Sequence, residues 1–259
     1  MSEPDRALDP WQRLAALTPA RIGLGRAGSG LGTGETLRFA LAHAQARDAV
    51  HAVLDETSLA GELAKLGLES VKVASRAAGR ASYLLRPDLG RSLDAASRAA
   101  LEAKGGADCD IALVVADGLS ASAVTTQAAG FLAAFLPLAQ KRHWSLSSAV
   151  IVSQGRVAIG DEIGAVLGAR LTLLLIGERP GLSSPDSLGL YITYAPRPGR
   201  SDGERNCVSN IHGAGLSSTE AAARAAWLID AALARGLSGV ALKDESASAT
   251  SPRLRADTP

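Results

Sequence analysis

The 259-residue chain is 47% hydrophobic and 20% charged, and 27 Lys+Arg against 26 Asp+Glu leave a net charge of +1. That balance excludes the basic footprint of a nucleic-acid binder and gives no attraction to an anionic membrane surface. Aromatics are 3% of the chain, so no pocket walled by stacked rings is expected, and no apolar run approaches the ~20 residues of a membrane span.

In chain order, residues 1–18 read as a mobile N-terminus with Trp11 as its candidate anchor. The opening MSEPDRALDP has no apolar leader, so Cys109 and Cys207 are expected as free thiols in a reducing cytoplasm. Residues 19–104 read as a mostly helical region. Its first feature, RIGLGRAGSGLGTG, carries a literal G-x-G-x-x-G at Gly23, Gly25 and Gly28. A dinucleotide fingerprint should follow a buried strand and open a helix, and only LTPARI precedes this one. The glycines therefore suit a docking loop better than a nucleotide cradle. A stand-alone nucleotide-binding oxidoreductase built on that loop is the rival reading.

Glu35 to Leu54 has helical spacing of Leu37, Leu41 and Ala44, with His43, Arg47 and His51 on adjacent turns. Two histidines eight apart lack the further ligands of a tetrahedral metal site, so a solvated or subunit-facing surface is expected. Leu59 to Ser75 reads as a helix and a short strand. In Arg86-Pro87-Asp88-Leu89-Gly90-Arg91 the residue before proline is extended. Asp88 is expected to cap a helix from Leu89 to Ala103, and Gly105-Gly106 marks the boundary to the next part.

From Asp108 the period changes. Ile111–Val115, Ala149–Val152 and Leu171–Ile176 are short apolar runs of the kind buried in a parallel sheet. Helices are expected at about 122–141, 160–167 and 219–235, a fourth strand at 188–194, and a short strand or turn at 237–244. Strands alternating with helices of this length predict an α/β fold: a Rossmann-like, mainly parallel sheet domain over 107–244, preceded by the helical region. The tail 245–259, rich in Ser, Ala and Arg, reads as disordered.

Chemistry concentrates after the strands. Asp117-Gly118-Leu119-Ser120 lacks the G-x-S-x-G of a nucleophile elbow, so Asp117 is expected to cap a helix or serve a ligand loop. Cys207 and His212 do not make a thiol nucleophile by spacing alone, because such partners meet through the fold. Val157, Glu178 and Cys207 follow the second, third and fourth strands. In a parallel sheet such loops share one edge, where ligands bind, so the three could converge on one ligand. The competing reading leaves Glu178 paired with Arg179 or capping a turn.

The segments GERPGLSSPDSLG (Gly177–Gly189), Tyr191–Pro196 and RNCVSNIH (Arg205–His212), with GRAG (Gly25–Gly28) and RPDLGR (Arg86–Arg91), closely resemble the small (light) subunit of ethanolamine ammonia-lyase. The likeness covers nearly everything from Arg21 to Asp244. The resemblance implies a subunit of the adenosylcobalamin-dependent enzyme that converts ethanolamine to acetaldehyde and ammonia. It further implies that Val157, Glu178 and Cys207 contact adenosylcobalamin, with the corrin's amide N–H groups needing acceptors such as Glu178. It implies a large (heavy) subunit as partner in an α6β6-type assembly, and a cytoplasmic protein that in some relatives is addressed to a microcompartment. Radical chemistry needs a closed, dry cavity, which such eliminases build from a (β/α)₈ barrel. About five strands cannot form one, so no catalytic residue is expected on this chain. Asn210-Ile211-His212-Gly213-Ala214-Gly215 approaches the D-x-H-x-x-G of histidine-ligated cobalamins. Its first residue is Asn, which lacks the carboxylate that orients such a ligand, so His212 is not expected on the metal.

Overall fold

The computed structural model describes residues 10–104, 106 and 108–246. Most of the expected disordered tail (247–259), the first nine residues of the expected mobile N-terminus and Gly105 lie outside the described residues. In chain order the elements are α1 (Pro10–Ala15), the paired β1 (Arg26–Ala27) and β2 (Gly30–Leu31), α2 (Thr33–His51), α3 (Glu56–Lys65), β3 (Ser70–Ala74), α4 (Arg80–Leu85) and α5 (Ala95–Ala103). Then follow β4 (Ile111–Ala116), α6 (Ala121–Lys141), β5 (Ala149–Ser153), α7 (Ile159–Val166), β6 (Leu171–Gly177), β7 (Leu188–Tyr194), β8 (Arg205–Ile211) and α8 (Ser218–Arg235).

One six-stranded sheet, in the order β3-β5-β4-β6-β7-β8, organises the chain. β3, β5, β4 and β6 run parallel, β7 runs antiparallel to β6, and β8 antiparallel to β7. The apolar runs are strands because the sheet is covered on both faces: every residue of β4 and β6 is buried. On one face Phe131, Leu132 and Phe135 of α6 pack with Leu228 and Ile229 of α8 against Leu113, Leu173 and Leu190. On the other, Ile159 and Ile163 of α7 and Leu101 of α5 cover Val114, Val152 and Leu174. α6 is long and apolar enough to cross a membrane by composition, yet its apolar face is spent on the sheet.

The fold agrees with the α/β reading and departs from it in four places. The short strand expected within the helical region is β3, an edge strand of the main sheet paired in register from Ser70↔Ala149 to Ala74↔Ser153. The helix expected from Leu89 starts at Ala95 instead. Asp94, not Asp88, accepts a capping bond from the Ser97 amide at 2.6 Å, and Asp88 is exposed and paired with Arg86 at 2.8 Å. RNCVSNIH, read as a loop after the fourth strand, is mostly β8 itself. Residues Gly239–Ala241 form one 3₁₀ turn, the second of the two alternatives expected for 237–244 and no departure. In α2, Leu37 and Leu41 face solvent (64% and 58% exposed) while Ala42 and Ala49 are buried, so the apolar spacing marks an uncovered stripe.

Candidate functional site

The carboxyl ends of the parallel strands open on a cleft of about 380 Å³. Its lining comes from the β4–α6 turn (Gly118, Leu119), the β5–α7 turn (Arg156, Val157), the end of β6 (Ile176 to Arg179), Tyr83 and Tyr191. Two features of the sequence create it. Gly118 has φ +58°, and a Cβ there would sit 2.2 Å from the Gly177 carbonyl oxygen, so the turn after β4 can press against the end of β6 only as glycine. Ser120, rather than Asp117, then caps α6, accepting from the Ala123 amide at 3.2 Å.

Glu178 leaves β6 at this edge, half-buried. Its Oε2 accepts from Ser187 Oγ at 2.6 Å and from the Asn210 amide at 3.2 Å. It pairs neither with Arg179 nor with a turn of its own. The ends of β6, β7 and β8 meet here because Gly177 and Ile211 both pair with Leu188. Val157 lines the same cleft. Thus two of the three residues expected to converge do so.

Cys207 needs a different account. Because β7 is antiparallel, its carboxyl end lies at the opposite edge of the sheet, so no loop carries Cys207 to the cleft. The residue sits inside β8, exposed, directly opposite Tyr191. Tyr191 lines the cleft, so Cys207 borders the site across one cross-strand pair. Burial raises the Tyr191 phenol well above its ordinary value, so it acts there as a neutral hydrogen-bonding group.

Sequence reasoning did not foresee the layer beneath. Tyr83 is fully buried and gives its hydroxyl to the Gly155 carbonyl at 3.2 Å. The Arg80 and Arg156 guanidiniums lie over its ring, 4.7 Å and 4.1 Å from the centroid. Burial pushes its pKa up to about 12, against the pull of Arg156. Arg156 also donates to the Tyr83 carbonyl at 3.1 Å, while its buried Nε has no hydrogen-bond partner among the described residues. A buried guanidinium nitrogen left without an acceptor is costly, and a polar group entering the cleft would relieve it. The signal in the sequence was Tyr83 itself, one of three tyrosines, just ahead of the RPDLGR segment.

The glycine motif proves to be something else. Gly28 has φ +64° in the turn between β1 and β2, a two-residue antiparallel pair. Among the described residues no buried strand precedes it, and the glycines do not open a helix, so the context a dinucleotide fingerprint requires is missing there. Arg21 donates to the Leu182 carbonyl at 3.2 Å, tying this segment to the loop after Glu178. His212 bonds Asn210 Oδ1 at 2.8 Å on the exposed side of the β8 end.

Comparison with known proteins decides the family. The model of the ethanolamine ammonia-lyase light chain (EutC) matches residues 8–243. The chain belongs to the ethanolamine ammonia-lyase light-chain family. An ethanolamine ammonia-lyase small subunit of Rhodopseudomonas palustris is 55% identical over 246 residues, 95% of this chain and 94% of that protein. One of Bradyrhizobium diazoefficiens is 53% identical over the whole of both chains. One of Pseudomonas putida KT2440 is 54% identical over 92% of this chain and 89% of its own. The light chain is thus one subunit of an ammonia-lyase, and its designation implies a large-subunit partner.

Proposed function

We propose that this light chain binds adenosylcobalamin in the cleft at the carboxyl edge of its sheet, at the interface with the large subunit that deaminates ethanolamine to acetaldehyde and ammonia. The observation that carries the reading is the chemistry of the cleft lining. Val157, Leu119 and Ile176 offer apolar surface to the methyl-bearing rim of a corrin. Glu178, held by Ser187 and Asn210, offers a fixed acceptor to its amide N–H groups. The unpartnered Nε of Arg156 adds a buried donor. A large, amide-fringed, partly apolar ligand fits this set.

When bound, adenosylcobalamin supplies the radical initiator of the deamination. The tasks left to this chain are to bind and orient the cofactor's rim and to exclude water from one side of it. Glu178 accepts hydrogen bonds, Val157 and Leu119 exclude water, and Tyr191 separates Cys207 from the cleft while presenting a neutral phenol. Among the described residues the sheet is open, with β3 and β8 at its edges, and is not the closed (β/α)₈ barrel that such eliminases use for radical chemistry, so the reading puts the substrate pocket and the catalytic groups on the large chain. The α2 stripe of Leu37 and Leu41 is the kind of surface a subunit covers. We assign the mostly helical region 19–104 and the domain 107–244 as the two parts of the chain, the first supplying the edge strand β3, Arg80 and Tyr83 to the second. The α6β6-type stoichiometry and a cytoplasmic or microcompartment setting complete the proposal.

The test is co-purification with the large subunit followed by visible spectroscopy. Corrin bands retained by the complex and weakened by changes at Glu178 support the reading. A complex that binds adenosylcobalamin identically with and without the small chain overturns it.

A further inference from the structure

Asp117 is unused by the site as described. It ends β4, is 2% exposed, and does not line the cleft. Its two carboxylate oxygens each take one backbone bond from the β5–α7 turn: Oδ2 from the Gln154 amide at 2.9 Å and Oδ1 from the Gly155 amide at 3.0 Å. Arg80 stands 3.8 Å from the same carboxylate and donates to the Gly118 carbonyl at 2.8 Å and the Val50 carbonyl at 2.6 Å. The turn that Asp117 holds is strained. Gln154 adopts φ +56°, a left-handed conformation uncommon for residues other than glycine. Its next residues are Arg156 and Val157, both in the cleft wall.

We propose that Asp117 is a positioning residue for cofactor binding, its ionised carboxylate clamping the strained Gln154–Gly155 turn so that Arg156 and Val157 face the cofactor. The inference rests on the cobalamin reading of the cleft. It deepens that reading by naming the group that sets the geometry of the cleft's β5 wall.

The clamp works only when both oxygens accept. On protonation one oxygen becomes a hydroxyl, a far weaker acceptor than a carboxylate oxygen, so one of the two amide bonds is weakened. Asparagine puts an NH₂, which cannot accept, in place of one oxygen at every pH, so it weakens the clamp without titrating. The charged and titratable groups facing Asp117 are Arg80 and Tyr83 of α4, with Arg156 over the same ring. β6 contributes only the backbone and Ile176 at this point. Burial pushes the Asp117 carboxyl up to about 6, against the two amides and Arg80. The clamp is thus intact above about pH 6 and weakened below it.

The experiment titrates the reconstituted two-subunit complex with adenosylcobalamin, followed by visible absorbance, at a series of pH values. Wild-type affinity is expected to fall about tenfold, one charge-assisted bond, as pH drops through the carboxyl's pKa. Asp117→Asn should be weakened by about the same factor at neutral pH and show no further fall on acidification. Arg80→Gln should move the midpoint upward, and Arg80→Lys should move it back. Purely structural damage would lower assembly without altering the pH profile. If Asp117→Asn binds like wild type at neutral pH, keeps the wild-type pH profile, or loses the cofactor only by failing to assemble, the inference is wrong. Glu178→Gln serves as the control. Weakened binding there with an unaffected Asp117→Asn overturns this inference alone, whereas unaffected binding in both overturns the cobalamin reading and this inference with it.

Discussion

The Arg205 guanidinium is buried against the Asp161 carboxylate, tying the first turn of α7 to the outermost strand β8 across the sheet. Both side chains are 2% exposed, and Arg205 also reaches Asp202 at 2.8 Å and the Arg200 carbonyl at 2.9 Å. Burial raises the Asp161 pKa, against the pull of Arg205. Asp161→Ala removes the buried partner and leaves Arg205 only the exposed Asp202 and the Arg200 carbonyl, so it should cost about 3 kcal/mol, the low end for a broken buried pair. Urea unfolding of the purified chain checks this. A loss below about 1 kcal/mol, the worth of an exposed pair, would mean that water reaches Arg205.

A second expectation concerns acid stability. Asp117 has its carboxyl raised from 3.8 to about 6 in the folded chain. Between those values the folded state holds a proton that the unfolded state has released. This group's contribution to stability therefore rises as pH falls from about 6 to about 4 and is smallest above about 6, a span of about 3 kcal/mol. Asp117→Asn should flatten that part of the stability profile. Its effect on folding thus runs opposite to its effect on cofactor binding, and unfolding curves at several pH values separate the two.

The isolated light chain should not deaminate ethanolamine with adenosylcobalamin, because an open six-stranded sheet offers no closed cavity for radical chemistry. Adding the large subunit should give activity. An acetaldehyde assay on each chain alone and on the mixture decides it, and turnover by the light chain alone contradicts the division of labour.

His212 should not ligate cobalt. Its Nε2 faces the Asn210 side chain, and an amide cannot supply the carboxylate that makes an imidazole a strong metal ligand. Electron paramagnetic resonance of the reduced cofactor in the complex, with ¹⁵N-labelled histidine, should show nitrogen splitting unaffected by the label or by His212→Ala. A label-dependent change would place a histidine on the metal.

The buried strands were legible because their runs had no other explanation. Ile111–Val115, Ala149–Val152 and Leu171–Ile176 all became sheet, as did the alternating Leu188–Tyr194. Val157 and Glu178 were marked by their place beyond the end of such a run together with the family resemblance. β8 was hidden because its sequence is half polar. As an edge strand it exposes Cys207, Ser209 and Asn210, and such a strand lacks the continuous apolar run of an inner one. The antiparallel turn of β7, which sends its far end away from the cleft, has no local signature. Neither does the Tyr83–Arg80–Arg156 layer, whose members lie up to 76 residues apart as Arg80 and Arg156 and meet only through tertiary packing.

The most direct measurement is the adenosylcobalamin affinity of the reconstituted complex carrying Glu178→Gln. Ser187 and Asn210 hold that carboxylate at the rim, and glutamine keeps its shape while losing its charge. Exchanging a charge-assisted acceptor for a neutral one should weaken the cofactor about tenfold, with the two subunits still assembled and the Michaelis constant for ethanolamine nearly unchanged. Unchanged cofactor affinity, or a complex that no longer assembles, would make Glu178 a structural residue and contradict the cobalamin cleft.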